Sequence, residues 1–256
     1  MYGAVIGDFV GSRFEFGNLR STRFEFFGAG CHFTDDTVCT AAVADILMNG
    51  RDPAATMQAW CRRYPTCSWG GRFGRWIHEE TPVPYGSYGN GAAMRVSPAA
   101  YLNRRRPLAD ALAAADRVTG ITHDHAEGMK GARATTHAIW LAFQGKSPDS
   151  IAAAVARTHG YDLSRDVATI RETYEYNETC QRTVPEALVC TLEAADFEQA
   201  VRNAVSLGGD ADTLAAIAGS VAEALHGIPL DFISFAETGI LRGAPDIRDV
   251  LRAMYA

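Results

Sequence analysis

The sequence lacks several features that would assign it to a specialised class of protein. No run approaches 18 uninterrupted apolar residues, so we expect no membrane-spanning helix. The opening stretch MYGAVIGDFVG has no basic segment and carries Asp8 among its apolar residues, which is not typical of a secretory signal. The net charge is −6, and no Lys/Arg cluster is dense enough to follow a nucleic-acid backbone. Nucleic acid is therefore not expected as a partner, except as a modified substrate.

The six cysteines do not form a recognisable framework either. None has C-x-x-C spacing, and six thiols among 256 residues are too few for a disulfide-stapled scaffold. We expect reduced, mostly buried thiols in a cytoplasmic protein. Signals for β-strands are equally scarce, because the alternating stretch 23–30 is short and isolated.

The sequence does contain strong helical periodicity. Apolar residues recur at helical spacing between residues that favour helix starts and helix ends. Hydrophobic residues make up 47% of the chain and no flexible linker divides it, so we predict an all-α fold with a single domain over residues 1–256. The predicted helices cover 37–50, 52–64, 107–120, 125–145, 147–160, 183–195, 196–209 and 211–227.

Segment 67–91 interrupts this helical pattern. It is dense in Gly, Pro, Trp and Tyr and has no clear period, which favours a functional loop, although its composition also suits a structural one.

Two short acidic strings stand directly before apolar helices near opposite ends of the chain. The first is Thr34-Asp35-Asp36, and the second is Asp210-Ala211-Asp212-Thr213. Each string could be an independent helix N-cap, because Thr and Asp accept hydrogen bonds from free backbone N–H groups. The alternative is that both strings contribute to one cation site.

The charges around the strings bear on this choice. No Lys or Arg occurs between Arg23 and Arg51, or between Arg202 and Arg242. Unpaired carboxylates in a partly buried site cost several kcal/mol per charge unless cations or protons compensate them. Hard divalent ions accept carboxylate and hydroxyl oxygens, and the absence of Cys and His within either string argues against zinc. Spacing alone leaves both explanations open.

Further motifs carry a resemblance to a known family. With GAVIGDFVGSRFEF at the start, GSYGNGAAMR in the middle and LHGIP after the second string, the sequence resembles the ADP-ribosylglycohydrolase family over residues 3–229. The resemblance implies a hydrolase that uses two Mg²⁺ or Mn²⁺ ions. It would cleave the bond at ribose C1″ and release ADP-ribose from a modified protein or another acceptor.

The resemblance also implies roles for individual residues. The carboxylates expected to take part in catalysis are Glu15, Asp35 and Asp36, with Asp36 or Glu15 assisting proton transfer. Arg95 is expected to be a structural ion-pair partner rather than a phosphate contact, and His125 stands where the family usually has proline. The metal ligands implied are Thr34, Asp35, Asp36, Asp210, Asp212 and Thr213. The substrate-binding residues implied are Ser87, Tyr88, Gly89, Asn90, Gly91 and His123.

Two other functions remain open at this stage. The chain could be a non-catalytic ADP-ribose-binding or structural member of the family, or a hydrolase of a small ADP-ribose derivative. The complete acidic set favours an enzyme, because a retired site has no physical reason to keep uncompensated carboxylates. The linkage cleaved, the preferred metal and the oligomeric state do not follow from the sequence.

Overall fold

Helices account for all of the regular secondary structure. The computed structural model describes all 256 residues and contains no β-strand, only an isolated bridge between Gly89 and Thr179. The predicted all-α fold class is confirmed. A short π-helix at Ala236–Ile240 follows α14. The α-helices are α1 (Tyr2–Ser12), α2 (Asp35–Asn49), α3 (Pro53–Arg63), α4 (Gly71–Trp76), α5 (Gly91–Met94), α6 (Ser97–Leu102), α7 (Leu108–Thr119), α8 (Ala126–Phe143), α9 (Pro148–His159), α10 (Val167–Thr173), α11 (Cys180–Leu192), α12 (Phe197–Val205), α13 (Ala211–His226), α14 (Leu230–Phe235) and α15 (Pro245–Tyr255).

Local signals set most ends of the predicted helices. Helix α2 ends at Gly50, which adopts a left-handed φ of 61°, and α3 begins after Asp52, whose carboxylate accepts a hydrogen bond from the backbone N–H of Ala55 at 2.8 Å. Helix α12 ends before the predicted limit of 209, because Gly208 and Gly209 turn the chain with φ near 69° and 68°.

The start of α11 was predicted three residues too late, at 183 instead of Cys180. The prediction placed Pro185 close to the helix start, where a missing N–H costs little. In the structure Thr179 is the N-cap, and Pro185 lies in the second turn.

Helix α1 is the most consequential helix that the periodicity did not indicate. Gly3, Gly7 and Gly11 are poor helix formers, and apart from Asp8 and Ser12 the remaining residues of α1 are apolar, so no single apolar face marks the segment as a helix. These glycines recur every four residues and let α1 lie against the backbone of α13: a Cβ built on Gly7 would lie 2.0 Å from the carbonyl oxygen of Ala215. This close packing places the end of α1 beside the start of α13.

The buried apolar side chains form one continuous cluster of 66 residues. None of the six cysteines is in a disulfide, and four of them are buried. None of the helices combines the length and the apolar character needed to cross a bilayer.

Candidate functional site

Carboxylates from four elements of the fold converge on one site. Oxygen atoms of Asp8, Asp36 and Asp212 lie within 4.8 Å of one another, and the same holds for Glu15, Asp210 and Asp212. The side chains come from α1, the loop after it, and the starts of α2 and α13. Because Asp212 belongs to both groups, the arrangement resembles two adjacent cation sites that share one carboxylate.

Asp8 holds the first acidic string in place, a role that was not predicted. Its carboxylate is fully buried and accepts hydrogen bonds from the backbone N–H and the hydroxyl of Thr34, at 2.9 and 2.8 Å. It also accepts from the N–H and the hydroxyl of Thr37, at 3.1 and 2.5 Å. The available signal was a single acid inside the apolar stretch GAVIGDFVG.

Helix capping explains one acidic string but not the other. Thr34 is the N-cap of α2, and its hydroxyl accepts from the N–H of Asp36 at 3.4 Å. Asp210 occupies the N-cap position of α13, but its side chain makes no capping hydrogen bond. It accepts instead from the side-chain amide of Asn90 at 2.6 Å, and that amide also donates to the hydroxyl of Thr183 at 3.1 Å.

The donor set fits a hard divalent cation. One oxygen of Asp36, Oδ1, is buried and has no hydrogen-bond partner, while the hydroxyl of Thr213 lies 3.4 Å from the other, Oδ2. A buried carboxylate oxygen without a donor requires a proton or a cation. Every nearby ligand atom is an oxygen, as Mg²⁺ and Mn²⁺ prefer.

Burial and mutual repulsion make these carboxyl groups retain protons. Burial, followed by the charge of Asp212, raises the pKa of both Asp8 and Asp35 to about 7 and that of Glu15 to about 8. Burial and the neighbouring carboxylates raise the pKa of Asp36 and Asp210 well above the usual range. The raised pKa values favour protons on Asp8, Glu15, Asp35, Asp36 and Asp210 when no cation is bound.

The carboxylates form part of the wall of a cavity of about 400 Å³. Tyr85 lines this cavity, whereas the predicted wall residue Tyr88 does not; its ring packs against His125, with centroids 5.1 Å apart. Thr34 does not line it either, because its hydroxyl is directed to Asp8. The predicted substrate-binding residues that do line the cavity are Ser87, Gly89, Asn90, Gly91 and His123.

Arg95 lines this cavity together with Arg72, and the prediction that Arg95 forms a structural ion pair is wrong. It is buried, has no carboxylate within 4.0 Å, and lies with Nη2 3.2 Å from Nδ1 of His123. Its charge opposes the rise in the pKa of Asp35. Burial and Arg95 together lower the pKa of His123 well below its usual value, so this imidazole is neutral. His125 caps α8 by accepting from the N–H of Glu127 at 3.1 Å.

Arg20 ties the loop that carries Glu15 to the segment before Asp210. Its guanidinium donates to the carbonyl oxygens of Leu207 and Tyr174, and to that of Arg171 at 2.7 Å. These contacts fix two parts of the candidate site relative to one another.

Comparison with known proteins supplies the family. A family model described as ADP-ribosylglycohydrolase matches residues 1–250. The curated protein "ADP-ribosylhydrolase ARH3" from Danio rerio is 24% identical over 334 residues, covering 100% of this chain and 88% of that protein. A solved structure titled "ADP-ribosylglycohydrolase-related protein complex" superposes with a TM-score of 0.73 at 25% identity, covering 99% of this chain and 94% of that one.

Proposed function

This chain belongs to the ADP-ribosylglycohydrolase family, and from that premise we propose that it hydrolyses the glycosidic bond at ribose C1″ of an ADP-ribosylated acceptor with the help of two Mg²⁺ or Mn²⁺ ions. The observation that carries the proposal is a set of two overlapping clusters of three acidic side chains, which share Asp212. Beside them, the buried Oδ1 of Asp36 has no hydrogen-bond partner. Such a cluster is stable at neutral pH only when positive charge compensates it.

The acidic strings would hold the ions. Asp8 already accepts four hydrogen bonds, so it acts as a positioning residue that fixes the start of α2. When bound, the ions would supply the positive charge that neutralises the cluster and attracts the hydroxyl oxygens of a ribose. The proposed ligands are Thr34, Asp35, Asp36, Asp210, Asp212 and Thr213.

Residues of segment 86–91 and Arg95, which line the same cavity, would hold the diphosphate. Phosphate oxygens need close backbone N–H groups and a cation, which Gly91 and Arg95 in the cavity wall can provide. The neutral imidazole of His123 can donate or accept a hydrogen bond without adding charge. Tyr88, whose ring packs against His125, lies outside the lining of this cavity.

The hydrolysis can be written with its atoms balanced. A water oxygen forms a bond to C1″, and the bond from C1″ to the acceptor nitrogen or oxygen breaks with its electron pair. The acceptor gains one proton, and ADP-ribose leaves with a hydroxyl at C1″. The carboxylates would stabilise the positive charge that develops on the ribose ring, and Glu15, whose pKa is raised to about 8, would transfer the proton.

The test replaces Asp210 and Asp212 with Asn in one protein, with Asp110→Asn as the control, a partly exposed acid in the first turn of α7 that does not line the cavity. In excess Mg²⁺, release of ADP-ribose from a modified peptide should fall by about a hundredfold or more in the double variant, while helical circular dichroism is retained. The control should keep wild-type turnover. Retained turnover in the double variant would overturn the role of the metal ligands. Binding of ADP-ribose by the wild type without any release would instead indicate a non-catalytic member of the family.

A further inference from the structure

A second cavity meets the candidate site at the same carboxylates. Its volume is about 550 Å³, and it shares Glu15, Asp35, Asp212 and Ser68 with the first cavity. Its other walls come from α1, from residues 31–34 and from residues 64–67. The carboxylate cluster thus has a cavity on each of two sides, and the proposed function so far uses only one of them.

The two cavities differ in charge. Arg95 and Arg72 line the first cavity, whereas no Lys or Arg lines the second. A diphosphate therefore finds compensating charge only in the first cavity. In the ribose ring, C1″ and C4″ are the two carbons bonded to the ring oxygen. The acceptor is attached at C1″, and the carbon that leads to the diphosphate is attached at C4″. A ribose held at the carboxylates with its diphosphate near Arg95 therefore directs the C1″ substituent towards the second cavity.

We infer that the second cavity binds the acceptor side chain of an ADP-ribosylated polypeptide, an inference that rests on the proposed function. Its walls include the half-buried rings of Phe9, Phe33 and Tyr64, and the ring centroids of Phe33 and Tyr64 lie 6.0 Å apart at an interplanar angle of 74°. These faces suit the aliphatic stem of one side chain, and its polar end would lie at the carboxylates.

A nucleic-acid acceptor fits this cavity poorly. The phosphates next to a modified base would approach carboxylates in a cavity that no Lys or Arg lines. A polypeptide carries no such obligatory negative charge.

The same short segments carry the acids and the cavity walls. Phe33 directly precedes Thr34, and Phe9 directly follows Asp8. The hydrogen bonds from Thr34 to Asp8 therefore hold the aromatic walls and the acids together. The acceptor subsite is fixed relative to the reacting carbon, so its shape selects the substrate.

The experiment fills the second cavity without altering the first. Thr66 lines only the second cavity and is exposed, so Thr66→Trp should fold normally. The matched control is Thr56→Trp, in a groove between α2, α3 and α15 that shares no residue with either cavity. We expect Thr66→Trp to lower kcat/KM for an ADP-ribosylated peptide at least about tenfold and to change the Kd of ADP-ribose less than about twofold. The control should change neither.

Each other outcome overturns one specific statement. If Thr66→Trp leaves peptide hydrolysis within about twofold of wild type, or weakens ADP-ribose binding equally, the cavity is not an acceptor subsite. If an ADP-ribosylated oligonucleotide is cleaved better than the peptide, the polypeptide class is wrong. If the wild type cleaves nothing, the proposed function fails. The subsite is then still tested by binding, because Thr66→Trp, unlike Thr56→Trp, should raise the Kd of the modified peptide more than the Kd of ADP-ribose.

Discussion

The substitution Gly7→Ala tests how α1 and α13 position the acids. Two opposing effects can be weighed from the structure. Replacing a helical glycine with alanine should stabilise a helix by about 1 kcal/mol, because the unfolded chain loses conformational freedom. The added Cβ, however, would lie 2.0 Å from the carbonyl oxygen of Ala215 and 2.8 Å from the nitrogen of Ala216. Both neighbours are backbone atoms and cannot rotate away.

The packing effect should exceed the gain in helix propensity. An ordinary contact begins near 3.4 Å, so the two helices would have to separate by more than 1 Å at this point. Overpacking of this kind costs about 3 kcal/mol. The net loss is about 2 kcal/mol, which corresponds to a fall in Tm of about 4–8 °C for a domain of this size. Since α1 carries Asp8, the affinity for Mn²⁺ should fall as well.

Thermal unfolding in EDTA and Mn²⁺ titration would measure both effects. Gly74→Ala in α4 is the matched control, because its added Cβ would lie 3.4 Å from the nearest atom, an ordinary contact. The control should keep or slightly raise Tm. A Gly7→Ala protein with an unchanged or higher Tm would refute the close packing of α1 against α13.

Two further predictions concern charge and positioning. In EDTA, Tm should fall as pH rises from about 6 to 8.5. The folded-state pKa is raised to about 7 for Asp8 and Asp35 and to about 8 for Glu15. The stability that protonation contributes is therefore lost as pH rises through those values. Saturating Mn²⁺ should abolish the fall, and a Tm that is flat or rises with pH in EDTA would contradict the raised pKa values. Arg20→Ala should weaken Mn²⁺ binding about tenfold by freeing the segment that leads to the proposed ligand Asp210. Arg20→Lys should restore little of the affinity, because a single ammonium cannot reproduce three fixed contacts. Calorimetric titration with Mn²⁺ measures this, and unchanged affinity in Arg20→Ala would argue against the positioning role.

Local sequence signals accounted for much of the fold. The caps at Thr34 and Asp52 and the stop at Gly50 depend on neighbouring residues, so the positions of α2 and α3 followed from the sequence. Helix α1 did not, because its glycines lower helix propensity and are useful only when α13 lies against them. Helix–helix contact of this kind cannot be recognised in one segment alone.

The same distinction applies to the candidate site. Both acidic strings were noticed as local patterns, although Asp36 and Thr213 are 177 residues apart in sequence. Asp8 was overlooked because its hydrogen bonds to Thr34 and Thr37 exist only after α1 and α2 pack. Arg95 was assigned an ion pair because its sequence neighbours do not reveal that it is buried beside His123 in a cavity.

Anomalous diffraction from crystals of the wild-type protein grown with Mn²⁺ tests the central claim most directly. We predict two manganese peaks at the carboxylate cluster, one beside Asp36 and one beside Asp210, with Asp212 between them. The absence of any peak within coordination distance of these three side chains would contradict the account.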